Sequence, residues 1–174
     1  MKQRLLSTIF IIFLSLSVQS QNYIYKGDNQ YKATDSWAFK LNATYWTGNP
    51  EFTIAKNENG TGYLMIAINV PFKSHHVNGT TLIFLNNGST IKCFDKGVRD
   101  HLNKQSLVIY NLTKEEIESL KSSRISSIRF SIKGGIEGEQ SFTADNKKPM
   151  LRLIGSKEKD YYETDVEISK LFNE

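Results

Sequence analysis

The sequence predicts a mainly β domain, sandwich-like or a partly open barrel, with one short helix inserted at about residues 114–122. Three observations lead there. Apolar residues alternate with polar ones over short stretches such as Leu64, Ile66, Ile68 and Val70, the period-2 signature of a strand with one buried face. Asn- and Gly-rich turns separate these stretches, as in Asn86-Asn87-Gly88-Ser89, which suits hairpins rather than helix connections. The one well-specified helix, Lys114 to Ser122, lies between strand patterns, so it reads as an insertion into an all-β core.

The first 20 residues form an address. Lys2 and Arg4 precede a Leu/Ile/Phe-rich run from Leu5 to Val18, and Val18-Gln19-Ser20 places small side chains where a signal peptidase cuts. The apolar run is shorter than the roughly 20 residues a membrane-spanning helix needs. Cleavage after Ser20 leaves Gln21 first, and no cysteine lies there to carry a lipid. The expectation is a secreted or periplasmic protein with no membrane anchor after cleavage and one β-rich domain over residues 21–174. Without Lys2 and Arg4 the 22 basic residues fall to 20 against 18 acidic ones, a net of +2. That small excess gives no reason to expect a nucleic-acid partner.

Tyr23–Tyr25, Ser36–Leu41 and Phe52–Ala55 read as short strands. Within the second, Trp37 alternates with Phe39 and Leu41, which assigns all three to the core. Tyr63 to Val70 alternates until Pro71 removes a ladder donor. Thr81–Leu85 and Thr90–Phe94 then flank Asn87-Gly88, a pair suited to the two positive φ angles of a tight hairpin turn. That turn would face Phe84 with Ile91 and Leu82 with Cys93, gathering all four on one apolar surface. Cys93, the one cysteine in the chain, is therefore expected as a buried small hydrophobe and not a thiol catalyst. No internal disulfide can form, so stability must come from packing.

A strand over Ser106–Tyr110 leads into the helix. Thr113 and Glu116 have capping-box spacing, Leu112 and Ile117 flank it as a staple, and the acidic residues lie early with Lys121 late. Ile128, Phe130 and Ile132 alternate before Gly134-Gly135, and Ser141–Ala144 and Met150–Ile154 read as late strands. Thr164 with Glu167 repeats the capping-box spacing ahead of Ile168, Leu171 and Phe172, predicting a short C-terminal helix.

The stretches Ile91-Lys92-Cys93-Phe94-Asp95-Lys96-Gly97-Val98-Arg99-Asp100, Tyr110-Asn111-Leu112-Thr113-Lys114-Glu115-Glu116-Ile117 and Ile125-Ser126-Ser127-Ile128-Arg129 resemble small secreted proteins of uncharacterised function from Bacteroidetes, over about residues 80–133. The resemblance implies a bacterial envelope or extracellular setting and carries over no catalytic residue.

Two groups of residues are candidates for function. Asp95, Arg99, Asp100 and His101 form the densest polar cluster, in a loop between predicted strands. The four suit ligand binding, and two carboxylates with a histidine could instead hold a metal or serve acid/base chemistry, the last of which would make the chain a small extracytoplasmic hydrolase using Asp95, Asp100 and His101. Asp-Lys-Gly is equally ordinary turn composition, and Arg99 is a ready structural partner. Tyr45 and Trp46, flanked by Asn42, Thr44, Thr47 and Asn49, are suited to stack on a sugar ring while amides take its hydroxyls, or else to cover a sheet edge. His75 and His76 are adjacent, so on a strand their rings diverge and one metal is not expected to use both. No metal or cofactor motif is present; the expectation is no cofactor and no metal. The favoured reading is a non-enzymatic binding or accessory module for an unknown protein or glycan. An inhibitory or structural protein recognised by a sheet edge is the third class.

Overall fold

The structure, a computed structural model, describes residues 22–43, 48–136, 138–149 and 159–174. The predicted signal peptide, the strand at Met150–Ile154, and both Tyr45 and Trp46 lie outside the described residues.

The fold is mainly β with two short helices, one of them C-terminal. Two antiparallel sheets form from β1 (Asn22–Lys26), β2 (Asn29–Ala33), β3 (Trp37–Ala38), β4 (Lys40–Leu41), β5 (Glu51–Lys56), β6 (Gly62–Asn69), β7 (His76–Leu85), β8 (Thr90–Cys93), β9 (Arg99–Leu102), β10 (Gln105–Leu112), β11 (Ile125–Lys133) and β12 (Glu139–Asp145). The larger sheet runs β1-β2-β5-β6-β10-β9, with β3 also beside β5, and the smaller runs β4-β12-β11-β7-β8.

Alternation builds the core between them. In the larger sheet Phe52 pairs with Ile66, Ile54 with Leu64, Val108 with Ile66 and Tyr110 with Leu64, so their side chains share one face. Val77, Ile83, Ile128, Phe130, Ile132, Phe142 and Ala144 of the smaller sheet join the same buried cluster. Trp37 and Phe39 are fully buried in it, as their alternation predicts.

The larger sheet curls into a half barrel. Lys26 Nζ of β1 donates to Asn111 Oδ1 of β10 at 3.4 Å, although these strands stand four places apart. In a flat sheet that separation would be about 19 Å. The curl closes a second, smaller apolar cluster of Ile24, Ala55, Tyr63 and Ile109, where the rings of Tyr31 and Tyr63 meet edge to face at 4.9 Å.

The predicted hairpin forms, but its register is shifted by one residue. Phe84 pairs with Thr90, Ile83 with Ile91 and Thr81 with Cys93. The buried face is therefore Thr81, Ile83, Leu85, Ile91 and Cys93, while Leu82 and Phe84 are only half-buried. The turn chemistry explains the slip. Only Gly88 takes a positive φ, +86°, Gly88 N–H donates to Leu85 O at 3.0 Å, and Asn87 Oδ1 holds Ser89 N–H. This is a three-residue loop with Gly88 at the left-handed position, where the sequence predicts a two-residue turn, and one extra loop residue moves every partner.

Helix α1 (Lys114–Ser122) forms with the expected capping box: Thr113 N–H donates to Glu116 Oε2 at 2.7 Å, and Glu116 N–H to Thr113 Oγ1 at 3.3 Å. Ile117 and Leu120 are its buried stripe. Helix α2 (Thr164–Asn173) forms without the capping box the sequence suggests. Thr164 already belongs to the helix and is fully buried, its Oγ1 accepting from Ile125 N–H at 3.0 Å, and Glu167 reaches Trp37 instead. The two helices pack on the start of β6 at Gly62, where a Cβ would stand 2.8 Å from Ile117 Cδ1 and 2.8 Å from Ala55 O.

Candidate functional site

Asp95 and Arg99 are brought together as an ion pair, around a bulge in β7. Between its pairings with Arg129 and Ser131 of β11, β7 carries extra residues, and Gly79 there takes a φ of +71°. The bulge breaks the regular pairing of β7 with β11, and three side chains take up backbone groups at and beside it. Asp95 Oδ2 accepts from Gly79 N–H at 3.0 Å, Tyr110 Oη donates to Gly79 O at 3.0 Å, and Arg99 Nε donates to Val77 O at 2.9 Å. Asp95 Oδ1 is taken up by Gly97 N–H at 2.7 Å. Asp95 and Arg99 thus fasten the β8–β9 connection and the larger sheet to the smaller one. Burial pushes the Tyr110 hydroxyl up to about 12, so it remains a neutral donor.

Asp100 and His101 lie on β9, a strand where the sequence predicts a loop. Neighbours on a strand point to opposite faces. Asp100 Oδ1 accepts from His101 N–H at 2.7 Å, and His101 Nε2 lies 2.9 Å from His75 O. His75 and His76 precede β7 and open it, respectively, and His76 Nδ1 lies 3.2 Å from Ser74 O. Among the described residues no three His, Cys, Asp or Glu side chains are grouped to hold a metal ion.

A different site emerges at the far end of the smaller sheet. A polar cleft of about 280 Å³ is lined by Asn86, Arg124, Ile125, Ser126, Asn146 and Tyr161. Four separate segments supply it: the β7–β8 turn, the α1–β11 junction, the residue after β12, and the chain just before α2. The turn is joined to the others by Asn86 N–H donating to Arg124 O at 2.9 Å, while Asn146 ties the last three together. Its Nδ2 donates to Ile125 O at 2.8 Å and Tyr162 O at 2.9 Å, and its Oδ1 accepts from Tyr162 N–H at 2.9 Å. Ser126 occupies an irregularity in the β11–β7 register and donates from Oγ to Phe84 O at 2.9 Å, leaving its oxygen to accept. Arg124 lays its guanidinium over the Tyr161 ring, 4.1 Å from Cζ to centroid. Its Nε is buried and has no hydrogen-bond partner among the described residues.

Comparison with protein-family models, with curated proteins and with solved structures finds no match for this chain. What the cleft can do therefore follows from its own chemistry: a ring, a planar cation, an exposed amide at Asn86 and a hydroxyl oxygen at Ser126 converge on a space the size of a small polar molecule.

Sequence reasoning missed this group. Arg124 reads as a cation favouring the end of α1, Asn86 as a turn residue, and Tyr161 carries no pattern at all. The only trace is chemical type, because Arg, Tyr and Asn are common in recognition sites.

Proposed function

We propose that the protein is a secreted or periplasmic, non-enzymatic binding module whose ligand is a glycan, in a bacterial envelope or extracellular setting. The cleft between Arg124 and Tyr161 carries this reading, because its lining combines an aromatic ring with neutral groups that exchange hydrogen bonds with hydroxyls. The fate of the acid/base candidates supports it from the other side. Asp95 is occupied by Arg99 and two backbone amides, Asp100 by a backbone amide, and the His101 ring by a carbonyl. A hydrolase would need these groups to converge on one substrate, whereas Asp100 and His101 are neighbours on β9 and point to opposite faces.

Binding of the mature chain to an array of bacterial envelope glycans tests the reading, with Tyr161→Ala beside wild type. The expected result is a defined set of hits that Tyr161→Ala weakens at least tenfold while the fold is retained. Hits that ignore Tyr161→Ala, or an array with none, would remove the cleft as the binding site.

A further inference from the structure

We infer that the cleft recognises the carboxylate of an acidic sugar of the uronic-acid class, with Arg124 as the selecting residue; this rests on the glycan-binding reading above. The observation behind it is the Arg124 Nε–H group, buried and without an acceptor among the described residues. Only that nitrogen is covered, the residue as a whole being half-buried, and a covered donor without a partner is costly. Here the missing acceptor would come from the ligand.

Geometry narrows which acceptor fits. The guanidinium offers Nε–H and a neighbouring Nη–H in parallel, a fork that matches the two oxygens of one carboxylate. Tyr161 covers one face of the guanidinium at 4.1 Å and so fixes the plane in which the fork lies. No acidic side chain lines the cleft itself; of the two acids whose charges act on Arg124 from outside the lining, Asp165 and Glu163, the latter is paired with Lys159 at 2.5 Å. Beside the fork, the Ser126 oxygen and the Asn86 amide are suited to hydroxyls, which a simple carboxylate lacks and a uronate carries. The volume, about 280 Å³, is small for a drug-sized ligand and suits one sugar ring rather than a chain.

Two-dimensional ¹⁵N NMR that includes the arginine Nε–H region tests this directly, with the methyl glycosides of glucuronate, galacturonate, glucose and galactose, and with acetate. A uronide should shift the Arg124 Nε–H signal and bind at least tenfold more tightly than its neutral counterpart and than acetate. Arg124→Lys, which keeps the charge but loses the fork, should abolish that preference. Neutral and acidic sugars binding alike with the Nε–H signal unmoved would overturn acid selection while leaving the glycan reading intact. Acetate binding as tightly as the uronides would overturn the sugar part. A cleft silent to all of them, when the array still gives hits lost in Tyr161→Ala, would overturn the uronate assignment alone; silence in both experiments would overturn both readings. If Arg124→Lys fails to fold, the wild-type titration still decides.

Discussion

Trp37 Nε1 donates a 2.8 Å hydrogen bond to Glu167 Oε2, tying the third strand to the C-terminal helix across the core. Burial raises the Glu167 carboxyl above its ordinary range, and the bond from Trp37 only partly offsets this. A carboxyl whose folded pKa is raised binds its proton more tightly in the folded chain than in the unfolded one. Its contribution to stability is therefore fully present below the unfolded value and is lost as pH rises through the folded value. Glu167→Gln should flatten that slope and raise the denaturant midpoint at pH 7, since the amide oxygen still accepts from Trp37. Glu167→Ala should lose about 1 to 3 kcal/mol by stranding the indole N–H. Denaturant titrations from pH 4 to 8 check the sign.

Thr113→Ala removes the α1 cap and should cost about 0.5 to 2 kcal/mol. Thr164→Ala should cost about 1 to 3 kcal/mol for a different reason, because it leaves the buried Ile125 N–H without an acceptor. Thr164→Ser should recover most of that loss. Chemical denaturation of the three variants separates a cap from a buried clamp.

Cys93 is buried, and burial pushes its thiol up to about 12. The native protein should therefore resist a bulky thiol reagent at pH 8 and react fully once denatured. Rapid native labelling would contradict the observed pairing of Cys93 with Thr81.

Asp95→Ala should lower stability by about 1 to 3 kcal/mol, since Arg99 and the Gly79 and Gly97 amides would all lose an acceptor. Asp100→Ala, at an exposed position on an edge strand, should stay within about 0.5 kcal/mol of wild type. Thermal melts of both variants measure the difference.

Local physics explains what was legible in the sequence. The α1 cap, its staple and its two buried residues all lie within nine positions, so residue spacing alone determines them. Alternation in β6 and β11 likewise reports a buried face directly. The failures involve partners far along the chain. Thr164 and Glu167 have capping-box spacing, yet Ile125 and Trp37 claim their oxygens. β2 and β9 are polar edge or near-edge strands, NQYKA and RDHL, whose composition carries no apolar period. The hairpin register turned on whether Asn87 takes a positive φ, and a residue type that tolerates that conformation is not compelled to adopt it. The Arg124 cleft joins four segments, three of them through the side chain of Asn146, a convergence no spacing rule encodes.

Calorimetric binding of the strongest array glycan, followed by product analysis of the same glycan after prolonged incubation, tests the central claim most directly. The prediction is saturable binding that Tyr161→Ala weakens at least tenfold, that Asp100→Ala with His101→Ala leaves unchanged, and after which the glycan is recovered intact. Cleavage of the glycan by wild type, lost in a folded Asp100/His101 double variant, would contradict the binding-module account.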